Sequence, residues 1–141
     1  MFWNRWNQNN PSKPHGRLAA LLAALALLLA ACAGDRGAGA NQSAVMTGGD
    51  AERGWQALQD YGCFSCHVIP GVPRANATVG PPLNDWANRG YIAGRLANTP
   101  ENLILWIRFP QEVNPGTAMP DVGATEQEAR DMAAYLYTLS R

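Results

Sequence analysis

Two long stretches rich in glycine and proline, residues 68–97 and 110–124, take up roughly half of everything after residue 49. Around them the sequence predicts three helices. The first runs from about Asp50 to Tyr61, with Asp50 as N-cap and Ala51, Trp55 and Leu58 on its inner face. The second starts at Thr99-Pro100-Glu101, where a capping hydroxyl, a proline at the first helical position and an acid in the first turn agree. It carries Leu103, Ile104, Trp106 and Ile107 and should stop before Pro110. The third opens on the capping-box pair Thr125 and Glu128, and Met132, Ala133, Tyr135, Leu136 and Leu139 then recur at helical spacing. No run alternates in the β manner over more than a few residues, so the class is all-α. A body this small has little core of its own, and loops this long need a surface to pack on. A large buried prosthetic group would supply it.

Between the first helix and the first long loop stands Cys63-Phe64-Ser65-Cys66-His67, the CxxCH pattern of covalent haem c attachment. Two thiols at this spacing can each form a thioether to a haem vinyl group, and the adjacent His67 can then ligate the iron. A thioredoxin-like dithiol also uses CxxC, but no βαβ pattern surrounds this one. Zinc would want a fourth ligand, and residues 50–141 contain no other Cys or His. One covalent haem c is therefore the expected cofactor. His15 falls in the leader described below, so the sixth ligand is Met46, Met119 or Met132 unless the site is open. Met46 precedes the domain, and Met132 lies on the inner stripe of the last helix, where methionine ordinarily fills core. Met119 sits in Asn114-Pro115-Gly116-Thr117-Ala118-Met119-Pro120, a segment stiffened by two prolines. It is the preferred ligand because the iron–thioether bond is weak and the loop must do the positioning. His/Met ligation raises the haem potential and fills both axial positions.

The N-terminus reads as an export signal. Residues 1–17 are polar and basic, and Leu18–Ala31 is a run of 14 residues without a polar side chain. That is short for a membrane span. The run ends in Leu29-Ala30-Ala31-Cys32, which resembles the lipobox of bacterial lipoproteins, so Cys32 is the expected lipidation site. An ordinary signal peptide and an uncleaved anchor helix remain open, and all three readings export the rest of the chain. Ala33–Asp50 lacks an apolar period and reads as a flexible tether with a reach of about 20–25 Å. The expected layout is a signal peptide (1–31), a lipidated Cys and tether (32–49) and a folded domain (50–141), on the periplasmic side of a bacterial membrane. Charge excludes a nucleic-acid partner. Eleven basic residues balance eleven acidic ones, and from Cys32 onward 8 basic residues face 11 acidic ones.

Taken in order, Gly54, the CxxCH, Val79-Gly80-Pro81-Pro82-Leu83, Arg89, Tyr91-Ile92-Ala93-Gly94, Asn98–Leu103, Trp106-Ile107, Pro110, Pro115–Pro120 and Ala134-Tyr135-Leu136 resemble the class I c-type cytochromes. The similarity is greatest to the haem c domain appended to subunit II of haem-copper oxidases. It implies a small cytochrome c fold, with three main helices and long loops wrapped around one haem. It also implies roles for particular residues. The Pro81 carbonyl would accept the His67 Nδ1 proton. Arg89 would face a haem propionate, with the Thr117 hydroxyl on the same side. Trp106 would lie against the haem, and Gly54 would meet Met132 and Tyr135 where the terminal helices cross. Trp55 and Trp86 are read as packing residues. Mitochondrial-type carriers dock through lysines, whereas residues 50–141 contain none, so docking here should be mainly apolar.

The expected function is single-electron transfer by a membrane-anchored, non-enzymatic protein without a small-molecule substrate. By the resemblance its partners are a quinol–cytochrome c reductase upstream and a terminal oxidase downstream. The alternatives are a haem subunit accepting electrons within a periplasmic dehydrogenase and, third, a haem sensor with a labile Met bond.

Overall fold

A computed structural model describes residues 34–140. The leader and Cys32 lie outside the described residues. Five helices occur among those described: α1 (Gly34–Thr47), α2 (Ala51–Asp60), α3 (Pro100–Arg108), α4 (Pro110–Val113) and α5 (Glu126–Tyr137). The class is all-α, with long loops packed around a central cavity.

The three expected helices start at their expected caps. The Asp50 side chain accepts from the Arg53 N–H, Thr99 from that of Asn102, and Thr125 and Glu128 complete a reciprocal capping box. Each helix then turns its apolar face inward: Ala57 and Leu58 on α2, Leu103, Ile104, Trp106 and Ile107 on α3, and Ala129, Met132, Ala133 and Leu136 on α5.

Helices α2 and α5 cross at Gly54. A Cβ there would fall 1.9 Å from the Asp131 carbonyl oxygen, so a side chain would drive the two backbones apart. Beside the crossing, the buried Asp131 carboxylate accepts from the Asp50 N–H, from Arg53 Nε and Nη2, and from Gln127 Nε2, at 2.8–3.0 Å. Burial opposes its charge. The hydrogen bonds from Arg53, Asp50 and Gln127 outweigh that and hold the carboxyl below its ordinary range.

Three elements depart from the sequence reading. The segment expected to be an irregular tether forms α1, although three of its 14 residues are glycine. Tertiary bonds secure its C-terminal end: Arg130 Nη1 donates to the Thr47 carbonyl at 2.9 Å, and Gln127 Nε2 donates to that of Gly48 at 3.3 Å. No helix among the described residues is long and apolar enough to cross a membrane. Pro110 ends α3 as expected but also begins the single turn of α4, since its fixed φ suits a first helical position. Within the first long loop, Tyr91–Ile92 and Leu96–Ala97 pair antiparallel, Tyr91 opposite Ala97 and Ile92 opposite Leu96. Strands of two residues are too short to leave an alternating pattern.

Candidate functional site

The motif at 63–67 is wound into a tight turn. Gly62 precedes it in the left-handed region, Cys63–Ser65 forms one turn of 3-10 helix, and the Cys66 and His67 N–H groups both donate to the Cys63 carbonyl. This winding brings both thiols and the imidazole to one wall of a cavity of about 410 Å³. That size falls within the roughly 300–1,000 Å³ of small-molecule and cofactor sites. Neither cysteine is in a disulfide, and burial pushes the thiol of Cys63 up to about 11. An environment that favours the neutral thiol does not suit a redox dithiol that works as a thiolate.

Opposing loops hold the imidazole. His67 Nδ1 lies 2.7 Å from the Pro81 carbonyl oxygen, which can only accept, so Nδ1 carries the proton and Nε2 keeps a free lone pair. The residue before Pro81 must be small. A Cβ on Gly80 would fall 2.4, 2.7 and 2.9 Å from His67 Cε1, Nδ1 and Nε2, so the ring packs flat on bare backbone. Two backbone bonds, from the Gly80 N–H to the Cys66 carbonyl and from the Leu83 N–H to that of Val68, lace this loop to the motif.

All eight residues proposed from sequence to bind the cofactor line this one cavity: Cys63, Cys66, His67, Pro81, Arg89, Trp106, Thr117 and Met119. Trp106 and Met132 are buried in its wall, while Met46 is 45% exposed on α1 and does not line it. The Thr117 hydroxyl accepts from the Met119 N–H at 3.4 Å, and its own proton stays available to donate. Arg89 is partly committed. Its Nη2 donates to the carbonyls of Pro82 and Asn84, and the guanidinium lies 5.2 Å over the Trp86 ring. The lining contains no Asp, Glu or Lys.

Trp86, read from sequence as packing alone, carries a further signal. It is 5% exposed and lines the cavity beside Arg89, and its buried Nε1–H has no acceptor among the described residues. A buried indole N–H ordinarily has a partner, so this donor next to a guanidinium fits an acidic group held in the cavity. The clue in the sequence was its place three residues before Arg89, close enough for one short turn to join them. Two thiols three residues apart, one oriented imidazole, a thioether, an unpartnered donor beside a cation and an otherwise apolar wall together fit haem c.

The cytochrome c family model matches residues 51–140. Over 90 residues the chain is 36% identical to cytochrome c oxidase subunit 2 of Alkalihalophilus pseudofirmus, a match covering 63% of this chain and 25% of that protein. The protein of the same name from Bacillus sp. strain PS3 is 32% identical over 99 residues, covering 67% and 28%, and that of Bacillus subtilis is 28% identical over 89 residues. The chain thus spans about a quarter of the length of these relatives.

Proposed function

From the premise that this chain belongs to the cytochrome c family, whose members bind haem c covalently, we propose that it carries single electrons between a quinol-oxidising complex and a terminal oxidase. The observation that carries the reading is the convergence of the eight residues on one apolar cavity, with the His67 proton committed to Pro81. Bound there, haem c would supply a one-electron iron couple. Cys63 and Cys66 would hold it by thioether bonds, and His67 Nε2 and the Met119 sulfur would bind its iron. Trp86, Arg89 and Thr117 would receive the propionates, and Trp106 would pack against the ring.

What the protein contributes is order. The Pro81 carbonyl fixes the imidazole tautomer and raises its basicity, while the flat backbone at Gly80 fixes the plane of the ring. The largely apolar walls would limit water at the bound group, and His67 and Met119 would supply both iron ligands from the chain itself. Such a site passes charge without binding or cleaving a substrate.

The proposed layout keeps residues 1–31 as an export signal, Cys32 as the lipidated residue and 50–141 as the electron-carrying domain on the periplasmic side. Anchoring raises the effective concentration near membrane partners. The test uses the mature haem protein. A quinol-oxidising complex should reduce it and a terminal oxidase should oxidise it. Failure of both at micromolar concentration would remove the assignment.

A further inference from the structure

One amide side chain organises the loop that presents Met119. Gln111 on α4 directs Nε2 at two carbonyl oxygens, those of Thr117 and Met119, each at 2.8 Å. Its Oε1 accepts from the Gly116 N–H at 3.3 Å. Both amide protons and the carbonyl are used, and the reverse assignment would set an oxygen against two carbonyls. The Ala118–Met119 segment is thereby pinned on either side. The base of this clasp is rigid, because the neighbouring Pro110 is among the most deeply buried side chains. By contrast, the other side-chain bond at Met119, from its N–H to Thr117 Oγ1, is long at 3.4 Å.

We infer that Gln111 is a positioning residue for Met119, holding the loop so that the thioether keeps its axial place in the cavity. The inference rests on the reading of Met119 as a ligand. Its physical basis is a difference between two states. Thr117 and Met119 are only partly buried, so without the clasp water can satisfy their carbonyls and the fold as a whole loses little. The loop gains freedom, and a weak iron–sulfur bond is sensitive to that freedom.

The experiment compares the mature wild-type haem protein with Gln111→Ala, Gln111→Glu and Met119→Ala. It reads the far-red ferric absorption band of a thioether-ligated iron and the affinity for added imidazole. Losing the clasp's three hydrogen bonds should make Gln111→Ala bind imidazole more tightly, by on the order of 10-fold or more, with an unfolding midpoint close to wild type. Gln111→Glu sets a carboxylate against the two carbonyls. Its far-red band should be weak at neutral pH and return as acid protonates the new side chain, and this reversal carries the test if the alanine variant fails to mature. The clasp is overturned if both Gln111 variants keep the band and bind imidazole within twofold of wild type at all pH values, while Met119→Ala loses the band. If Met119→Ala keeps the band, the ligand reading falls and the clasp with it.

Discussion

The His67 ring has no room to move toward the loop behind it, and Gly80→Ala tests this directly. The new Cβ would sit 2.4 Å from Cε1 and 2.7 Å from Nδ1, against ordinary contacts of about 3.5–4.0 Å. The imidazole must therefore retreat by on the order of 1 Å. A retreat of that size along the ring normal leaves the 2.7 Å bond to the Pro81 carbonyl within reach but bends it out of line. The weakened bond costs up to about 1 kcal/mol, and the crowding adds about 1–3 kcal/mol. The expected loss is then about 1–4 kcal/mol, read as a lower denaturant midpoint with haem absorbance as the probe. The potential should also rise, because an imidazole with a weakened bond to its carbonyl acceptor donates less charge to the iron. Gly90 is the control, since a Cβ there meets nothing within 4 Å and Gly90→Ala should be nearly silent. Equal midpoints for the two alanine variants would refute the cradle.

Trp86→Phe removes the buried indole N–H and keeps the ring packing. If that N–H donates to an acid group in the cavity, the variant loses about 1–3 kcal/mol in denaturation and shifts in potential; a more stable variant would refute the assignment. Asp131→Asn should cost about 1–3 kcal/mol at neutral pH. Because the folded carboxyl lies below its ordinary value of 3.8, the wild-type advantage is full above that value and is lost as pH falls through the folded pKa. A stability difference between the two proteins that persists unchanged into strong acid would contradict this. With no lysine in residues 50–141, stopped-flow electron-transfer rates should change little between low and physiological salt, and a steep decline would exclude apolar docking.

Local chemistry was readable without coordinates. The caps at Asp50, Thr99 and Thr125 act within a single turn, and each begins its helix as expected. The CxxCH pattern is equally local, because its own backbone bonds gather the two thiols and the imidazole. Met119 could be singled out because few candidate ligands exist and two prolines flank it. Other features depend on partners distant in sequence. The Gly-rich α1 is secured at its end by Arg130 and Gln127 of α5, more than 70 residues away. For Arg89 the residue type was suggestive, but its commitment to the Pro82 and Asn84 carbonyls follows from the path of the loop.

Residue identity and spacing alone thus determined the three capped helices and the cofactor class, since capping and attachment act over a few bonds. Tertiary structure decided how the site residues are held: the bare backbone of Gly80 beneath His67, the amide of Gln111 spanning the Met119 loop, and the unanswered N–H of Trp86 in the wall. The physical reason is that orientation is set by contacts between separate loops, and their closure depends on the packing of the whole domain.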